Sequence, residues 1–211
     1  MALELNPRYV QARDWYAYFY LQLAVGRLEE GIAQAKLGLE YDPLSSYANA
    51  SLGVTYFNAG KYAEASQACE RALQLDPDSF VGGYFSSMCS AFSGRFEEAV
   101  AKAEEVLTMS GRNVGIMGTL AAIFVDWGKR SEAEVIYAEL TARARREYVP
   151  PSFLVLASHA LGLQEETLNQ IREAIEIRDP TRHLMFSKYF PYGARLHKDA
   201  RCGELLRGAG F

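Results

Sequence analysis

Apolar and polar positions follow one another with helical spacing along most of this chain, in blocks punctuated by Gly and Pro. The stretch 46–79, S-Y-A-N-A-S-L-G-V-T-Y-F-N-A-G-K-Y-A-E-A-S-Q-A-C-E-R-A-L-Q-L-D-P-D-S, shows the unit: two helical patterns flank Gly60, and Pro77 closes the second. The pattern predicts helices over 9–24, 28–41, 46–58, 62–75, 80–92, 96–109, 114–126, 130–147, 151–161 and 164–178. The eighth is drawn out because no breaker intervenes before Pro150-Pro151, and that pair suits the entrance of the ninth. After Arg178-Asp179-Pro180 the pattern fails. Residues 181–191 read as irregular, Tyr192-Gly193 as a turn after Pro191, and 198–207 as a short last helix.

The unit recurs every 34 residues: Gly26, Gly60, Gly94, Gly128 and Gly162 stand in register. Four residues beyond each comes Glu30, Glu64, Glu98, Glu132 and Glu166, and then Gly31, Ala65, Ala99, Ala133 and Thr167. Each position has a physical reason. Gly allows the left-handed backbone that ends a helix tightly. A carboxylate in the first turn suits the helix dipole. A small residue beside it lets two antiparallel helices approach closely. Pro43 and Pro77, and Gly111 and Asp179 in the matching places, separate one unit from the next.

These residues resemble the tetratricopeptide repeat, a helix–turn–helix unit of the same length. Leu52-Gly53, Tyr56, Ala65 and Pro77 match its signature, as do Leu120-Ala121, Phe124, Ala133 and Tyr137. The first copy has Trp15, Tyr18 and Ala35, with Phe19 where a small residue is usual. The resemblance implies an all-α fold, a right-handed superhelical solenoid of tetratricopeptide helix–turn–helix repeats with a C-terminal cap. The expected organisation is a remnant of a preceding repeat at 1–9, five repeats over 10–180 and the cap at 181–211. A-L-E-L-N-P at 2–7 repeats A-L-Q-L-D-P at 72–77, so the chain reads as opening inside an earlier repeat, as a fragment of a longer polypeptide. From Pro7 to Gly26 is 19 residues, against 17 from Pro43 to Gly60, so the first copy should be two residues longer in a helix or a loop. The tail also resembles the ending of repeat regions in bacterial signalling and transcription regulators, through Leu196, Asp199, Arg201, Leu205 and Leu206.

Composition narrows the class. Net charge is −4, with +4 gathered in 178–211, which leaves −8 on the remainder, and this balance does not look like that of a nucleic-acid binder. The basic tail is read as a cap that covers the open end of the array. No long apolar run or leader is visible, so a cytoplasmic protein with no membrane contact is expected. Cys69, Cys89 and Cys202 have no metal spacing and read as reduced thiols, with Cys69 in the core. His159, His183 and His197 are not spaced as ligands, no nucleotide-binding or hydrolase motif occurs, and the repeated Glu pairs read as structural. The expectation is therefore no enzyme, no cofactor, no metal and no small-molecule substrate.

In the family it resembles, the first helix of each repeat lines the inner face. Counting from the repeat start places Arg13, Tyr16, Tyr20, Tyr47, Phe57, Asn58, Tyr84 and Met88 on a candidate partner-binding groove. The same count turns Gly115, Gly118, Ala122, Val125 and Asp126 inward in the fourth copy, and Val149, Ser152, Leu156, His159 and Ala160 in the fifth. Chaperone-binding members hold a peptide carboxylate with Lys, Arg and Asn; here only Arg13 and Asn58 answer, so an apolar or aromatic peptide fits better. The alternative is that these aromatics pack on neighbouring repeats or lie under the tail. The expected function is a non-catalytic protein–protein interaction module, a scaffold or adaptor, binding a peptide or protein and belonging to a bacterial regulator. The alternative function is a sensory region that controls an N-terminal enzyme or DNA-binding domain. An uncovered first repeat, near Tyr9, Trp15 and Phe19, would favour self-association.

Overall fold

The glycine ladder sets the frame. The structure, a computed structural model, describes residues 2–211. In it Gly26, Gly60, Gly94, Gly128 and Gly162 all have positive φ, from 72° to 82°. A Cβ is strained in that conformation, so glycine is the residue that can end each helix and turn the chain back. The elements are α1 (Ala2–Leu5), α2 (Val10–Trp15), a π-helical segment (Tyr16–Ala24), α3 (Leu28–Tyr41), α4 (Ser46–Asn58), α5 (Tyr62–Leu75) and α6 (Phe80–Phe92). They continue as α7 (Phe96–Met109), α8 (Val114–Asp126), α9 (Arg130–Ala144), α10 (Pro151–Ala160), α11 (Gln164–Glu176), α12 (Arg182–Met185), α13 (Pro191–Lys198) and α14 (Ala200–Gly208). Among the described residues every regular element is helical.

From α3 to α8 the observed spans coincide with those expected. Elsewhere tertiary contacts redraw them. The first helix carries its two surplus residues by changing winding: six α-helical residues run into nine π-helical ones, against the thirteen of α4. The change shows in the backbone, where Val25 N–H donates to Tyr20 O, five residues back, at 3.1 Å. Helix α9 stops at Ala144 rather than 147. Arg143 turns back there, donating to Arg112 O at 2.6 Å and pairing with Glu147 at 2.6 Å. The Pro191-Tyr192-Gly193 stretch opens helix α13 instead of making a turn. Proline is preorganised for the first helical position, and Gly193 lets the helix backbone press against the carbonyls of Met185 and Ser187.

The chain forms two units, Met1–Glu105 and Val106–Phe211, with α7 running across the boundary. In the first, α4 packs on the π-helical segment, on α5 and on α6. Its core holds Leu21, Phe57 and Met88, together with Ala17, Ile32, Ala35, Leu52 and Ala68. Lys102 joins α7 to α6 through the Ser86 hydroxyl at 2.8 Å. The Glu98 carboxylate accepts from Lys102 and Arg95, which push its pKa down to about 2. Cys69 and Cys89 are both buried, and a hydrogen bond between them together with burial raises the Cys69 thiol well above its ordinary value. In the second unit α8 packs on α9 and α10, α10 on α11, and α14 on α11 and α13. Its core contains Ile116, Met117, Leu120, Ile123, Leu140, Ile171, Met185, Phe186 and Phe190. The small positions Gly31, Ala65, Ala99, Ala133 and Thr167 are all buried, as close helix contact requires.

Candidate partner-binding surface

The three first helices of the first unit present aromatic rings and no exposed charge. Over 10–24, 46–58 and 80–92 the charged residues are Arg13 and Asp14, and these are only 7% and 1% exposed. The π-helical winding arranges two ring pairs. Tyr16 and Tyr20 stack at 5.4 Å with 16° between planes, and Trp15 meets Phe19 edge-on at 6.1 Å. Trp15 Nε1 donates to the Tyr47 hydroxyl at 2.9 Å, which ties the first of these helices to α4. On α6, Phe80 lies 6.1 Å from Tyr84. Half-buried Tyr18 sits near Tyr84 and Tyr47; burial first, then these two neighbours, raise its phenol pKa above the ordinary value. Six rings of this set, those of Trp15, Tyr16, Phe19, Tyr20, Tyr47 and Phe80, are exposed, between 38% and 55%.

The eight residues singled out from the sequence divide in two. Tyr16, Tyr20 and Tyr47 are exposed and Tyr84 is half-buried. Arg13, Phe57, Asn58 and Met88 lie inside the protein. Phe57 is fully enclosed by the rings of Tyr62, Phe85 and Phe92, at 5.5, 5.6 and 5.3 Å. Asn58 Nδ2 donates to Gln22 Oε1 at 3.0 Å, within a buried network in which Gln22 Nε2 also donates to Thr55 O at 2.9 Å and Leu28 O at 3.1 Å. Arg13 donates to Pro7 O at 2.6 Å and to the Gln34 side chain, and its guanidinium lies over the Tyr41 ring. Trp15, Phe19 and Phe80 belong to the exposed set but escaped the sequence count. Their spacing to Tyr16, Tyr20 and Tyr84 is the available signal, and Trp15 and Phe19 were expected on an uncovered face of the first repeat rather than in the groove.

The second unit offers a concavity of about 220 Å³. Ala122, Val125 and Asp126 of α8 and Leu156, His159 and Ala160 of α10 line it, and Tyr192, Arg195 and Leu196 of α13 close it. The six from α8 and α10 are among the ten later positions that the repeat count turns inward; the other four, Gly115, Gly118, Val149 and Ser152, are buried and do not line it. Arg195 Nη1 donates to both Asp126 carboxylate oxygens, at 2.8 and 3.0 Å, and pins α13 across the site. Burial lowers the His159 pKa, Asp199 opposes that shift, and Arg195 adds to it. Among the described residues no cluster of three or more His, Cys, Asp or Glu side chains could hold a metal ion, and no helix is long and apolar enough to cross a membrane.

Residues 46–79 match the tetratricopeptide repeat family. Superkiller protein 3 of Schizosaccharomyces pombe is 28% identical over 118 residues, which is 56% of this chain and 8% of that protein. Tetratricopeptide repeat protein 37 of Xenopus laevis is 30% identical over 96 residues, 46% of this chain and 6% of that protein. The chain thus spans less than a tenth of the length of these curated relatives. Among solved structures, a tetratricopeptide repeat protein from Parabacteroides merdae aligns over 99% of this chain and 73% of its own, with TM-score 0.68 and 17% identity. A thermophilic protein of the same kind from Thermus thermophilus covers 83% of this chain and 97% of its own, with TM-score 0.64 and 18% identity. The chain carries a tetratricopeptide repeat at residues 46–79, and its fold is that of the tetratricopeptide-repeat proteins.

Proposed function

We propose that this chain is a non-catalytic interaction module whose first unit holds a peptide or partner segment on its aromatic surface. The observation that carries the reading is the set of six exposed aromatic side chains, gathered on helices that expose no charge. Isolated exposed apolar residues are ordinary, whereas a contiguous patch of rings marks an interaction site. Trp and Tyr are also the residues that most often dominate binding energy. Proteins of this fold generally mediate protein–protein interactions. One solved structure with the fold, at TM-score 0.51 and 19% identity, covers 88% of this chain and 94% of its own and is described as having an unusual peptide-binding site. The ending Leu196, Asp199, Arg201, Leu205 and Leu206 favours a setting within a bacterial regulator, in the cytoplasm.

Selection of a displayed random-peptide library on the full chain tests the reading. Recovered peptides should lose about 2 kcal/mol or more on Tyr20→Ala or Tyr47→Ala, if these rings are anchors. Both variants should stay folded, because the two side chains are already 51% and 40% exposed, and only Tyr47→Ala, which removes the hydrogen bond from Trp15, should lower the melting temperature slightly. A library that yields no peptide sensitive to either substitution sinks the reading.

A further inference from the structure

We infer that the aromatic surface of the first unit takes an uncharged, proline-rich segment in extended polyproline II conformation. The inference rests on the interaction reading above and names the chemistry of the partner. Charge comes first. The three helices expose no charged side chain, so a charged peptide would lose hydration against them and find no opposite charge in return. The polar groups of the surface come next. Among the described residues the Tyr16 and Tyr20 hydroxyls make no hydrogen bond, and the Tyr47 hydroxyl accepts from Trp15 Nε1 while keeping its own proton to donate. The surface thus combines ring faces with hydroxyl donors.

Three kinds of peptide could meet such a surface, and they differ in the carbonyls they offer. An amphipathic helix has its carbonyls paired internally, so the tyrosine hydroxyls would gain little from it. A β-strand ligand needs a sheet edge, and the described residues contain no strand. A polyproline II segment has no internal hydrogen bonds, so every carbonyl is free to accept, and its pyrrolidine rings pack on aromatic faces. It is also ordered before binding, which lowers the entropy cost of docking on a surface already held in place by ring stacking.

The test uses the full chain with Trp127→Phe, which leaves Trp15 as the sole tryptophan. Two capped peptides without Trp, Tyr or charge are titrated: one rich in proline, the other an apolar helix former of equal length. Trp15 fluorescence reads occupancy of the surface. The proline-rich peptide should saturate, and Tyr20→Phe with Tyr47→Phe should weaken it roughly fivefold or more, since each change removes a hydroxyl but keeps a ring. Saturation by the helix former alone overturns the inference and leaves the interaction reading standing. Proline-rich binding that the Tyr→Phe changes leave intact also overturns it. Silence of Trp15 towards both peptides overturns it too, and the library selection then decides the broader reading separately.

Discussion

Asp14 shows how one residue can make stability depend on pH. Its carboxyl is 1% exposed, and neither oxygen has a hydrogen-bond partner of standard geometry. Burial raises its pKa from 3.8 to about 7, and the neighbouring Ser51 hydroxyl and Arg13 guanidinium offset only part of that rise. The folded protein therefore holds this proton to higher pH than the unfolded chain does. The contribution of Asp14 to stability is therefore most favourable below about pH 4 and falls as pH climbs towards about 7. Some three pKa units correspond to about 4 kcal/mol at most. Asp14→Asn should be within about 1 kcal/mol of the parent at pH 4 and more stable by about 2–4 kcal/mol at pH 8, because the amide has no charge to bury. Urea unfolding at both pH values checks this; a stability difference that does not change with pH would show that Asp14 is not the titrating group.

At the scale of the element, the π-helical segment and α3 fit each other through Gln22 and Gly31. Gln22 is fully buried and spends its amide on Leu28, Thr55 and Asn58. A Cβ on Gly31 would come within 2.5 Å of Gln22 Cγ and 2.9 Å of Ala17 O. Ala ordinarily favours a helix over Gly by up to about 1 kcal/mol, whereas overpacking a core costs about 1–3 kcal/mol. The clash wins, so Gly31→Ala should destabilise the protein by about 1–2 kcal/mol net. Part of this should return in Gln22→Ala, which vacates the space. A double-mutant cycle by thermal unfolding reads the coupling, and purely additive effects would refute the contact.

At the scale of the whole molecule, the core of the second unit depends on the end of the chain. The second unit is finished by the segment from α12 to α14, which supplies buried Met185, Phe186, Phe190, Leu196, Cys202 and Leu206. The Arg195–Asp126 ion pair and the Arg201–Glu165 ion pair add contacts to α8 and α11. Both pairs are partly exposed, so the apolar burial outweighs them. Removing residues 190–211 should unfold the second unit or lower its melting temperature sharply, whereas Arg195→Ala should change its stability by no more than about 1 kcal/mol. Calorimetry of the truncated and substituted chains distinguishes these. Unchanged melting after truncation would mean that the tail is not part of the core.

Much of the fold was legible in the residues themselves. Helix spans from α3 to α8, the positive-φ glycines and the buried small positions follow from local rules: helical periodicity, the steric freedom of Gly and the closeness of paired helices. The candidate surface was legible in part. Periodicity tells which side of a helix is apolar, but a helix placed among several others buries more than one side, and only its neighbours decide which. Phe57 and Met88 were therefore drawn into the core, while Phe80, outside the expected groove, stayed exposed. The two surplus residues of the first copy announced a longer helix or loop. That they became π-helical was decided by the packing of the segment against α3 and α4, where Gln22 is buried and hydrogen-bonded. The helix beginning at Pro191 was likewise beyond local reading, because it depends on the surface that Tyr192 and Leu196 bury and on a partner for Arg195 that lies 69 residues away in the chain.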